Sequence, residues 1–228
     1  MKKLIALLFV FVCAFVFVGC KKTTEPEKTK EPAKTQEPAK TQETEPAKTQ
    51  EPEPASAVDS VVSDEFKSLC TGKKVYATTC GQADLATLCV IIDDSIDDEE
   101  AYENSEDLKA SDVIEGAVVL LVVGGSNKGL GAAGTDVTSE ANRASEFAAL
   151  ADQGKITLVV IHIGGAARRG DTSDPIIKAA APSADLLLVV EGGNEDGYFT
   201  NVAEQNGIAL FLFSKASKMR SSFAKLFE

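Results

Sequence analysis

The chain has 228 residues, 44% of them hydrophobic and 25% charged, and its 35 acidic against 23 basic side chains give a formal net charge of -12 at neutral pH. A balance this acidic disfavours nucleic acid and anionic lipid surfaces as partners. The single histidine and the scattered cysteines lack the spacing of a zinc site, so the sequence implies no metal.

Residues 1–20 read as an export signal, with Lys2 and Lys3 ahead of an apolar stretch and then Gly19 and Cys20. The apolar stretch, 4–18, is shorter than the roughly 20 residues that span a bilayer. The run Phe17, Val18, Gly19, Cys20 resembles a bacterial lipobox, in which the cysteine carries the lipid, palmitate included, and becomes the new N-terminus. The expectation is an extracytoplasmic lipoprotein, anchored to a bacterial membrane through Cys20. Residues 21–56 repeat EPAKTQ from Glu31, Glu37 and Glu45, hold most of the prolines and lack large apolar side chains. Such a segment buries too little surface to offset its ordering entropy and predicts a disordered, extended linker.

Residues 57–228 suit a single α/β domain with a sizeable core. A helix is expected over 63–70, a strand over 74–79 and a helix over 82–92. The acidic stretch 93–116 holds a short edge strand near 101–103. Beyond it, strands over 117–123, 156–162, 185–190 and 208–213 alternate with helices over 136–153, 174–181, 197–206 and 216–227. Near-continuous Val, Ile and Leu runs mark strands covered on both faces. They predict a doubly wound, mostly parallel sheet of five or six strands, a flavodoxin-like or Rossmann-like three-layer sandwich. In the helix over 136–153, Val137, Ala141, Ala144, Ala148 and Ala151 form a small-residue stripe, and Asp174 before Pro175 reads as a helix cap. In a flavodoxin-like strand order the ligand crevice lies between the strands ending at Thr79 and Val123.

Three strands end in glycine pairs, at Gly124 and Gly125, Gly164 and Gly165, and Gly192 and Gly193. The first two of the following loops are basic, with Lys128, Arg168 and Arg169. Glycine turns that enter helices present unpaired N–H groups, and the helix dipole adds positive potential there. Together these predict capture of a small anion by Gly81, Gln82, Gly125, Ser126, Lys128, Gly129, Gly131, His162, Gly165 and one of Arg168 and Arg169. The third loop is acidic, with Glu191 and Asn194; facing the same crevice, it would suit a zwitterion or a hydroxylated ligand. The bland alternative pairs the arginines with this protein's many carboxylates.

The run 129–134 fits G-x-G-x-x-G, but five residues, 124–128, separate it from its strand, and the next strand ends at His162 instead of an acidic residue. Neither a dinucleotide nor any other cofactor is implied, and no P-loop is present. Ser126 falls short of a nucleophile elbow, because Lys128 stands where the motif needs glycine. Two competing expectations remain. One is a hydrolase of esters or phosphoesters, with His162 acting on Ser126 or Cys80; the other is a structural or interaction module with a large exposed apolar patch. Cys70, Cys80 and Cys89 read as inert thiols or as one disulfide with a free partner.

The segments KVYATTCGQAD, VVGGSNKGLGAAGTD, IHIGGAARRG and NEDGYFT resemble a family of secreted or lipid-anchored bacterial proteins of unknown function. The resemblance covers 74–228 and rests on KGLGAAG at Lys128 to Gly134 and ARRG at Ala167 to Gly170. It implies no activity, substrate or cofactor, and favours reading the two motifs as one shared site.

Overall fold

A computed structural model describes residues 58–98 and 100–228. The expected signal and linker, Cys20 included, lie outside the described residues. Six parallel strands form one sheet: β1 (Val75–Cys80), β2 (Glu103–Asn104), β3 (Val118–Val123), β4 (Thr157–His162), β5 (Leu186–Val190) and β6 (Ala209–Phe213), in the order β2-β1-β3-β4-β5-β6. The helices are α1 (Leu85–Asp93), α2 (Asn127–Ala133), α3 (Val137–Asp152), α4 (Asp174–Ala180), α5 (Tyr198–Asn206) and α6 (Arg220–Phe227). The doubly wound reading is therefore correct, and the sheet is parallel throughout.

Side chains alternate across a strand, so one apolar run feeds two cores. Val118, Leu120 and Val122 of β3 pack with α1 and α6 through Leu88, Ile92, Phe223 and Leu226. Val119, Leu121 and Val123 face α3, α4 and α5 through Ala144, Phe147, Ile177 and Phe199. The small stripe on α3 holds in substance: Ala144 and Ala148 are buried, and Val137, Ala141 and Ala151 pack partly against this second core.

Several local expectations need correction. Residues 63–70 form only a 3-10 turn, Asp64–Phe66, because the backbone N–H groups of Ser68 and Cys70 bond to Lys225 and Leu226 of α6 and Ser68 takes a left-handed φ of 62°. Just before it, the Asp59 carboxylate accepts from the Ser214 N–H and hydroxyl at the end of β6, and the Val62 N–H donates to Ser222 Oγ. The first full helix begins at Leu85 instead of residue 82, since Gln82 and Asp84 are both left-handed. The edge strand is real but shifted to two residues, Glu103–Asn104. Asp174 does not cap its own helix; its Oδ1 accepts from the Gly170 N–H and from Arg169, closing the turn before α4. Finally, 127–133 is the helix α2, where the sequence suggests an open glycine loop. Ser126 Oγ accepts from the Gly129 N–H, Gly134 closes the other end with a φ of 66°, and buried Leu130 anchors the helix.

Candidate functional site

The connections from β1 and β3 leave on opposite faces of the sheet, to α1 and to α3, so the switch point lies between these strands as expected. The loops after them meet there. The Ser126 N–H donates to the Gly81 carbonyl, 3.0 Å. A Cβ on Gly81 would overlap the Gly124 carbonyl oxygen, and one on Gly129 would overlap that of Gln82. These glycines exist because two backbones touch, which is a different reason from ligand access. Gly81, Gln82 and Asp84 have φ of 106°, 57° and 63°. Left-handed backbone at non-glycine residues costs on the order of 1–3 kcal/mol each and collects at functional loops.

The turn after β4, Gly165–Arg168, closes the second side. The Gly125 N–H donates to buried Ser173 Oγ at 2.8 Å, and a Cβ on Gly125 would strike the Thr172 carbonyl. The Arg168 side chain lies along Gly124 and Gly164, where a Cβ on either would meet its Cβ and Cγ. Its Nε donates to Asp84 Oδ2 at 3.2 Å, and its side chain stays 33% exposed. Among the described residues, its two terminal nitrogens have no hydrogen-bond partner.

Arg169 differs. Its Nε donates to Asp174 Oδ1 (2.9 Å), its Nη1 to the Gly193 carbonyl and Asp196 Oδ1, and its Nη2 to Asp196 Oδ2 (2.7 Å). Tyr198 and Phe199 flank the guanidinium, each ring centroid 5.8 Å away. These bonds hold the Asp196 carboxyl down at about 2 and raise Arg169 further above its ordinary value. Of the two adjacent arginines, Arg169 is consumed in tying the β4–α4 connection to the β5–α5 connection, and Arg168 presents an open edge. Lys128 and Gly131 are exposed on α2, and no ion pair to Lys128 is formed among the described residues.

His162 is fully buried, with Nδ1 2.9 Å from the Val123 carbonyl oxygen and Nε2 3.2 Å from that of Gly165. Burial holds the imidazole below its usual range. Ser126 Oγ is engaged as the α2 cap, and Cys80 is buried with its thiol pushed up to about 12. No pairing of His162 with either nucleophile exists among the described residues, so the hydrolase alternative finds no support. Cys70, Cys80 and Cys89 are all free thiols, which decides against the disulfide. Among the described residues, the large exposed apolar side chains are Val58, Val61, Val90 and Ile114, which fall on three stretches of the chain.

Sequence reasoning misses the most buried ion pair among the described residues. Glu140 of α3, its side chain 5% exposed, accepts at Oε2 from Arg143 (2.6 Å) and from the Gly81 N–H (2.7 Å). Arg143 also donates to the Leu108 carbonyl at 3.0 Å and to that of Thr79. The pair thus satisfies backbone groups at the end of β1 and floors a cleft of about 660 Å³ rimmed by Gln82, Glu106, Asp107, Lys109 and Thr135. The available signal was a carboxylate one turn before Ala144, on the helix face that the apolar stripe assigns to the core.

Sheet order, helices on both faces and loops gathered at the carboxyl edge define a doubly wound α/β protein. A family model described as a domain of unknown function, DUF6305, matches residues 72–227, and the chain belongs to that family. No curated protein and no solved structure matches the chain. Among the described residues, no helix is long and apolar enough to cross a membrane.

Proposed function

We propose that this domain binds a small anionic solute, without chemistry, at the carboxyl edge of the sheet, and that Cys20 tethers it to a bacterial membrane. The observation that carries the binding reading is the guanidinium of Arg168. Asp84 fixes it through Nε, glycines at 124 and 164 let it lie flat, and its terminal N–H groups have no partner among the described residues. A carboxylate or phosphate-like oxyanion suits that planar fork, and charge-assisted bonds of this kind contribute about 1.5–3 kcal/mol each. The neighbouring Asp84 limits the preference to ligands that leave its carboxylate on Nε.

The test is calorimetry on the full chain against sulfate, phosphate, carboxylates and sugar acids. At least one is expected to bind, and Arg168→Ala is expected to weaken it about tenfold, or about 1.4 kcal/mol. A wild-type chain indifferent to the whole panel refutes the reading. Tethering is tested by growing cells on a labelled palmitate analogue. The wild-type protein is expected to take up label and to sediment with membranes, and Cys20→Ala to do neither; equal labelling of the variant would remove Cys20 from its role.

A further inference from the structure

His162 stands at the end of β4 with both ring nitrogens facing carbonyl oxygens. A neutral imidazole has one N–H and one lone pair, so it can satisfy only one of them. The closer approach at Nδ1, 2.9 Å against 3.2 Å, assigns the proton to the Val123 side. Nε2 then turns its lone pair on the Gly165 oxygen. A Cβ on Gly193 would collide with Nε2, so the Glu191–Gly193 turn closes over that nitrogen and Gly165 is its sole hydrogen-bonding neighbour among the described residues. Gly165 opens the turn that carries Arg168, and its φ of 55° is one that a side chain would resist.

We propose that His162 is a proton-operated latch on the Gly165–Arg168 turn, and that closing it tightens anion binding at Arg168. Protonation replaces a lone-pair repulsion at Nε2 with a charge-assisted N–H bond to the Gly165 carbonyl, fixing the turn to β4 and adding positive charge beneath it. The binding half of this inference rests on the reading of Arg168 given above. The charged groups around the ring come from four elements. Arg169, in the same stretch, opposes the imidazolium, whereas Asp84, before α1, favours it. Asp174 of α4 and Asp196 before α5 are held on Arg169, and Asp84 on Arg168. β3 contributes a carbonyl and α5 the Phe199 ring, 5.4 Å away, neither charged. Burial outweighs the two carbonyls, so the folded imidazole titrates below the unfolded value of about 6.5. Its contribution to stability is therefore complete above that value and is lost as pH falls through the folded one.

The protein has one histidine, so the full chain, purified without a histidine tag, gives a single imidazole titration by NMR. Sulfate is the probe, because its charge is constant over the range. The expected result is that the amides of Gly165, Ala166 and Arg168 shift with the same midpoint as the imidazole, that sulfate raises that midpoint, and that sulfate binds about threefold tighter or more at pH 5 than at pH 8. His162→Asn, which keeps a side-chain amide in place of the ring, is expected to abolish the response of those amides. Should that variant not fold, the wild-type titration decides alone. An imidazole that stays neutral to pH 4, or that titrates while the three amides stay still, overturns the latch. Equal sulfate affinity at both pH values overturns its control of binding and leaves the anion site standing. Indifference to sulfate and to every other anion at both pH values overturns the anion site, and the amide titration then still passes or fails the latch.

Discussion

Glu140→Ala is expected to destabilise the protein by up to about 3 kcal/mol, because it removes the carboxylate shared by the largely buried Arg143 guanidinium and the Gly81 N–H. For a domain of this size that corresponds to a fall in Tm on the order of 10 °C. The measurement is a urea or thermal midpoint for the full chain. Arg143 would keep its bonds to the Leu108 and Thr79 carbonyls, so the loss should be smaller than that of a charge left wholly unpaired. Glu140→Gln retains an acceptor for Gly81 and removes only the charge, so it should fall between the two. If Glu140→Ala melted within a degree of the wild type, the pair would be surface decoration and not the strut of the switch point.

The second large effect is a contrast between two glycines of one short helix. Gly129→Ala drives a methyl into the Gln82 carbonyl, which is backbone and cannot swing away, and so is expected to destabilise by about 1–3 kcal/mol or more. Gly131→Ala, two residues on, meets nothing within 4 Å and has a helical backbone, so it is expected to stabilise by up to about 1 kcal/mol. The pair of denaturation midpoints should move in opposite directions. Equal effects would mean that α2 does not press on the loop after β1. The same experiment separates two explanations of the glycine-rich motif, since a glycine retained for backbone contact punishes substitution by unfolding and one retained for ligand access by lost binding alone.

Much of the fold was legible because its signals are local. Apolar runs such as VVLLVV in β3 have no other comfortable place than a strand buried on both faces, and the alternation with helices then restricts the strand order. The places that escaped are those where a distant partner overrides the local preference. Residues 63–70 have a helical pattern, yet their N–H groups bond to α6. Asp174 looks like a cap, but Arg169 and Gly170 claim its carboxylate. At the candidate site the sequence shows two arginines that differ from their acidic surroundings, and it yields the expectation that one of them holds the anion. It does not show which, because the choice is made by Asp84, Asp174 and Asp196, which lie respectively 84, 5 and 27 residues from their arginines. Glu140 was hidden for a related reason: its place on the apolar face of α3 points to the core, but the Gly81 N–H that makes burial of its carboxylate tolerable lies 59 residues away.

The clasp between Asp59 and Ser214 bears on how the protein withstands force. A pull travelling along the chain from its N-terminal side reaches Asp59 first, and then the attachments of Val62, Ser68 and Cys70 to α6, before any of it arrives at β1. Those anchor points sit at the end of β6 and on α6. Tension is thus met first by the end of β6 and by α6, ahead of β1 and the loop that carries Gly81. The bond from the Ser214 backbone holds the Asp59 carboxyl below its ordinary range, so acid loosens this clasp later than it would a free carboxylate.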